Sequence, residues 1–173
     1  FITIQNSRAR RVIIDIFGKD YHGGIISDCF KVYNDFARWY QKCWVHLLRK
    51  AKFEFEKYPR KNIVKLYEQL KVFHREMVDF LKENPTKEKR LEKKKEFEKK
   101  LNEIINYKYW CKEAKSIVDN WLIAYRGHWL TAIEIEGISL DNNLCEQKIR
   151  GSIGWRKMLG GHRTREGAKQ YSI

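Results

Sequence analysis

The chain has 173 residues, with 36 Lys and Arg against 22 Asp and Glu, a formal charge of +14 and a pI near 9.6. One domain, or one domain with a substantial insertion, is the expected organisation at this length, and 43% apolar with 14% aromatic residues exclude a disordered basic tail. What remains is a folded protein with an anionic partner, nucleic acid first, because a basic domain of this pI has the electrostatic footprint of phosphate binding; a ribosomal or membrane-surface protein would carry the same charge.

No apolar run reaches the roughly 18 residues of a membrane span, and the stretch from Phe1 to Arg10 lacks a signal-peptide pattern. No membrane is therefore expected as a partner, and the expected location is cytoplasmic. Cys29, Cys43, Cys111 and Cys145 are scattered without a Cys-x-x-Cys pair, so they read as reduced thiols rather than a disulfide framework or zinc site.

Taken in chain order, Phe1-Ile-Thr-Ile-Gln5 alternates like a strand, and Arg8 to Phe17 has the apolar spacing of a short helix. Gly23-Gly24 introduces Ile25-Ile26-Ser27-Asp28, a short buried strand that ends in an acid. Val32, Phe36 and Trp39 repeat at helical spacing, Lys42 to His46 reads as a further strand, and Leu47 to Lys57 as a helix. Strands alternating with helices are the rhythm of an α/β core.

The texture changes at Pro59. Ile63, Leu66, Leu70, Phe73, Met77 and Phe80 follow a helical period up to Asn84-Pro85, where Asn84 is placed to cap a second helix. That helix is expected to run from Leu91 through Phe97, Leu101, Ile104, Val118 and Trp121 to Tyr125, with Gly127 ending it. The result is a long helical hairpin whose Lys/Glu-rich tip, Lys87 to Lys100, reads as a solvated surface. Trp121 and Trp129 read either as core positions or as platforms for an extruded base. Beyond Gly137 comes Asp141-Asn142-Asn143-Leu-Cys-Glu146, where Asn143 and Glu146 have capping-box spacing.

The residues after Glu146 make this segment distinctive: Ile149-Arg150, then Arg156-Lys157, Gly160-Gly161 and Glu166-Gly167. Together they resemble the end of the catalytic domain in DDE transposases of the insertion sequence 66 family. There an Asp-Asn-Asn-x-x-Glu-Arg-x-x-Arg segment supplies the last catalytic acid and an Arg-Lys pair follows at ten and eleven residues. Ile26-Ser27-Asp28 with Tyr33 resembles the family's strand-Asp-Gly-Tyr element, which carries the second catalytic acid. Cys43-Trp44-Val45-His46 with Arg49-Lys50 resembles its Cys-Trp-x-His-x-x-Arg-Lys segment. Gln147 stands where the family has Arg, and Cys29 where it has Gly.

The resemblance implies an RNase H-like α/β core with a large all-helical insertion. Residues 1–59 would be its first part, 60–135 the hairpin insertion and 136–173 the last part with the catalytic Glu helix. It also implies that the first catalytic Asp lies upstream of Phe1, leaving a partial core. Asp28 and Glu146 are then the catalytic, metal-binding carboxylates, 118 positions apart, and the cofactor is Mg²⁺ or Mn²⁺, two ions about 3.5–4 Å apart. Arg150, Arg156, Lys157 and Arg163 are the candidate DNA contacts, with His46, Asn142 and Asn143 in support. The implied partners are transposon-end and target DNA, with a homodimer in the transposition complex. The implied activity is phosphodiester hydrolysis followed by strand transfer. A second reading, from another class, is a catalytically silent DNA-binding fragment or decayed copy.

Overall fold

The computed structural model describes residues 10–29, 31–33 and 37–158, excepting the side chains of residues 31, 152–153 and 155–157. The strand expected at Phe1–Gln5 and the candidate contact Arg163 lie outside the described residues. The described chain is mostly helical with one small sheet, an arrangement compatible with the α/β class.

Helix α1, Arg10–Phe17, opens the described chain and buries Ile13 against Tyr40 in a small satellite cluster. Strand β1, Gly24–Ser27, follows as expected. It pairs in parallel with β2, Trp39–Lys42, in the register Gly24↔Trp39 to Ser27↔Lys42. A parallel pair cannot be closed by a tight hairpin. The crossover contains a 3₁₀ turn at Lys31–Tyr33, and Trp39 begins β2 rather than closing a helical repeat; Phe36, the middle position of that repeat, lies outside the described residues.

The second strand also stands earlier than Lys42–His46. Tyr40, Gln41 and Lys42 are all buried, and two polar residues in three hide the strand from any hydropathy pattern. Gln41 is satisfied inside: its Nε2 donates to the Lys42 and Trp129 carbonyls at 2.8 and 3.1 Å, and its Oε1 accepts from the Ala132 amide at 2.8 Å. Trp44 already begins helix α2, Trp44–Lys57.

Helix α3, Lys61–Lys82, has the apolar period read from the sequence, with Ile63, Leu66, Leu70, Phe73 and Met77 buried. Its end differs from expectation. Asn84 takes a left-handed backbone (φ 48°), which Asn tolerates better than most residues, and so turns the chain out of α3. Thr86 is the residue that caps α4, Lys87–Asn106, accepting from the Lys89 amide. The long second helix breaks after Asn106. Tyr107 to Cys111 run outside helix, and α5, Lys112–Ile117, continues as a π turn over Val118–Ile123. Gly127 therefore sits within a 3₁₀ turn, Arg126–His128, and does not end a helix. Helices α6, Thr131–Glu134, and α7, Asn143–Met158, complete the described chain.

Trp44, Leu47 and Ala51 of α2 share one buried cluster with Leu66, Leu70 and Phe73 of α3, Phe97 and Leu101 of α4, Ile117, Trp129 and Leu140. The helical segment is thus fastened to the element that follows the sheet. Arg90, only 8% exposed, adds a polar tie: Nη1 donates to the Ala132 and Ile133 carbonyls at 3.1 and 3.3 Å, joining α4 to α6. Trp129 is fully buried, which removes it as a base-stacking platform. Trp121 is half-buried against the same cluster. Among the described residues no helix is long and apolar enough to cross a membrane.

Candidate active site

Asp28 directly follows β1, at the carboxyl end of the strand, where open parallel sheets present ligand-binding groups. The neighbouring strand ends alongside it. Lys42 Nζ donates to the Asp28 carbonyl at 3.2 Å and to Ser27 Oγ at 3.4 Å, and it lies 4.6 Å from the centre of the Tyr125 ring. Tyr125 in turn donates its hydroxyl to the Cys29 carbonyl at 3.0 Å. Burial lowers the Lys42 pKa, while the Cys29 thiol and the Asp28 carboxylate work in the opposite direction.

The chain then passes from sheet to helix without a loop. The Cys43 amide donates to the Ser27 carbonyl at 2.8 Å, and the Trp44 amide to the Leu140 carbonyl at 3.0 Å. The second of these bonds brings the segment before α7 to the start of α2. Asp141 Oδ1 accepts from the Asn143 amide at 2.9 Å, and the Asn142 carbonyl accepts from the Glu146 amide at 3.0 Å. Helix α7 therefore starts one residue earlier than a capping box on Asn143 requires, and Asp141 supplies the side-chain acceptor. This start holds Glu146 in the first turn. There its Oε1 lies 3.4 Å from His46 Nε2 in the first turn of α2, both side chains about a quarter exposed (27% and 24%).

Of the residues singled out in the sequence, Asp28, His46, Asn142, Asn143 and Glu146 are thus tied to one end of the sheet by β1, β2 and the starts of α2 and α7. Arg150 is exposed one helical turn beyond Glu146. Arg156 and Lys157 are on α7 as backbone positions. Cys43 is fully buried and serves as a packing thiol. Sequence reading gives no role at the site to Lys42 or Tyr125, and quotes Ser27 and Asp141 only as members of the motifs around Asp28 and Glu146. A lone lysine inside Trp39-Tyr-Gln-Lys-Cys-Trp-Val45 was the available signal, since a Lys in an apolar stretch is buried only when its ammonium is satisfied.

A divalent cation can be tested against these groups by donor type. The Asp28 and Glu146 carboxylates are hard oxygen ligands of the kind Mg²⁺ and Mn²⁺ take, and Asn142 Oδ1 is a buried oxygen without a hydrogen-bond partner among the described residues. The donors fit in kind. Among the described residues no group of three or more His, Cys, Asp or Glu is placed to hold a metal ion.

The cysteines give an independent check on this arrangement. Burial pushes the Cys29 thiol up to about 12, reinforced by the Asp28 carboxylate and Cys43 and opposed by the Lys42 ammonium. Burial also raises Cys43. Only the thiolate is nucleophilic, so iodoacetamide at pH 8 is expected to modify exposed Cys145 first, and Cys29 and Cys43 only after denaturation. Mass mapping that finds Cys29 modified as fast as Cys145 in the native protein would contradict the packing of β1 against Lys42.

A family model described as the IS66 family of transposases matches residues 1–170. Among curated proteins and solved structures, none matches the chain.

Proposed function

This chain belongs to the IS66 family of transposases, and from that premise we propose that Asp28 and Glu146 are two of the carboxylates of a DDE-type active site. The reaction is phosphodiester hydrolysis at a transposon end, followed by attack of the freed 3′-hydroxyl on target DNA. In this reading residues 1–59 and 136–173 are two parts of an RNase H-like core, and residues 60–135 are inserted between them. One observation carries the proposal: the 3.4 Å contact between His46 and Glu146, which fastens the first turn of α7 to the helix leaving β2, the strand paired with the one that Asp28 follows.

Bound divalent cations supply activation of the attacking oxygen and stabilisation of the leaving one in an in-line displacement. The chain's own residues do the rest. Asp28 and Glu146 would hold the ions, and Asn142 would offer its amide oxygen as an additional ligand. His46 orients the Glu146 carboxylate through Nε2. Arg150, Arg156, Lys157 and Arg163 are the proposed phosphate contacts, and a chain of charge +14 favours DNA throughout. The proposal is tested on a labelled transposon-end duplex: nicking that requires Mg²⁺ or Mn²⁺ and stops with EDTA is the expected result. A transposase that binds the duplex but never nicks it under any divalent metal leaves the alternative of a catalytically silent DNA-binding protein.

The phosphate contacts have a signature of their own. Each neutralised phosphate releases counterions, so replacing Arg150, Arg156 or Lys157 singly with Ala should lower the magnitude of the log–log salt slope by about 1 and leave sequence preference unchanged. Three variants with wild-type affinity and slope at low salt would move the DNA surface off α7.

A further inference from the structure

The helical segment carries an aromatic and basic surface that the proposed active site does not use. Of the tryptophans whose side chains are described, Trp39, Trp44, Trp110, Trp121 and Trp129, only Trp110 is exposed, with 70% of its surface in water. It stands in the break between α4 and α5, where residues 107–111 alternate in and out. Tyr109 and Cys111 are buried, whereas Tyr107 and Trp110 face solvent. The break is pinned on both sides. Tyr109 donates its hydroxyl to Gln69 Oε1 at 2.9 Å, and the Trp110 amide donates to Asn62 Oδ1 at 2.5 Å. An indole held outward by a fixed backbone costs little further ordering when it stacks on a ligand.

Cations attend both exposed rings. Lys108 Nζ lies 4.4 Å from the centre of the Trp110 ring, and Lys65 Nζ 3.7 Å from that of Tyr107. The two facing segments, 60–65 and 107–113, hold Arg60, Lys61, Lys65, Lys108 and Lys112 against the single acid Glu113, which is paired with Arg60 at 3.7 Å. An ordinary protein-protein contact depletes lysine at its centre, whereas an exposed aromatic ring set among cations matches what single-stranded nucleic acid needs: a π-face for a base and positive charge for the flanking phosphates.

We propose that Trp110, with Tyr107, Lys65 and Lys108, forms a stacking site for an unpaired base of DNA, so that this chain holds single-stranded or unpaired DNA on the α4–α5 break as well as duplex at the active-site end. The site accepts any base, because every base presents a π-face. It extends the reading of DNA as partner and is independent of the catalytic assignment, since binding needs no divalent metal.

The test is fluorescence anisotropy in EDTA with a labelled 20-nucleotide oligo(dT) and, separately, a 20-base-pair duplex. Trp110→Ala is expected to weaken oligo(dT) binding by about 5- to 150-fold, the range for loss of one stacked base, with duplex affinity changed less than about twofold. Trp110→Phe should restore most of the loss. The exposure of Trp110 makes a folding defect unexpected, and an unchanged circular dichroism melt of Trp110→Ala verifies it. Unaltered oligo(dT) affinity in Trp110→Ala overturns the proposal, as does an equal loss on both DNAs. A shift in oligomeric state by sedimentation without any change in DNA binding also overturns it and makes the patch a contact between protein chains. Failure of nicking in the transposon-end assay leaves this result untouched. A protein that binds neither DNA brings down the DNA reading as a whole.

Discussion

Glu146→Gln is expected to abolish divalent-metal-dependent nicking of a transposon-end duplex while leaving duplex affinity within about twofold. The substitution is nearly isosteric, but in the proposed site it would remove one anionic oxygen ligand from a cation whose hold depends on charge. Loss of a single preorganised electrostatic group at a reacting centre costs about 10²–10³-fold in rate, and for a metal-holding carboxylate that is the floor. His46 touches Glu146 at 3.4 Å and in the proposed site would act through it, so His46→Ala should reduce the rate less and raise the Mg²⁺ concentration needed for half-maximal nicking. Nicking that persists in Glu146→Gln, or a His46→Ala variant whose metal dependence is unchanged, would remove these residues from the active site.

The second large effect lies in packing. Trp44→Ala is expected to destabilise the fold by about 3–5 kcal/mol, the usual cost of deleting a large buried aromatic side chain. Trp44 is fully buried, meets Trp129 and Phe73 edge-on at ring separations of 5.2 and 5.5 Å, and donates its indole N–H to the Trp129 carbonyl at 2.7 Å. Alanine opens a cavity where three elements meet and removes one of the carbonyl's two donors, the other being Gln41. Natural domains have about 5–15 kcal/mol in all, so much of the margin goes. Urea unfolding followed by circular dichroism measures it; a loss under about 1 kcal/mol would mean that the α2–Trp129 contact is not the centre of the core. Trp44→Phe keeps ring packing and should cost about 1–3 kcal/mol, nearer the cost of a single buried hydrogen bond.

What the sequence made legible follows from how locally each feature is determined. Helix α3 could be read because its buried residues, from Ile63 to Met77, repeat at the helical period within one short stretch of sequence, whatever elements cover that face. Strand β1 could be read because Ile25 and Ile26 stand between glycines and an acid. Strand β2 was misplaced because its burial rests on Gln41 and Lys42, whose partners Trp129, Ala132 and Ser27 are distant in sequence. The break at Tyr107 carries neither Gly nor Pro; it is made by Tyr109 reaching Gln69 on α3, a tertiary choice that overrides the local period. Asp28 and Glu146 are candidates by resemblance to a family's motifs. Periodicity alone offered no reason to bring residue 146 to residue 46, and the contact that does so is made by a backbone bond from Trp44 to Leu140.

The ties from residues 40–44 to residues 129–132 also bear on how the protein is made. Tyr40 accepts from Thr131, Gln41 bonds to Trp129 and Ala132, and Trp44 bonds to Trp129, separations of 85 to 91 residues. A ribosome adding about 5–20 residues per second needs on the order of ten seconds to deliver the second partner after the first. For that interval the strand bearing Lys42 and the indole of Trp44 emerge without the chain that covers them, and closing so long a loop is slow. Residues 40–44 are therefore the stretch most open to aggregation during synthesis, and the yield of folded transposase should respond to chaperones that shelter short-lived apolar surfaces at that stage.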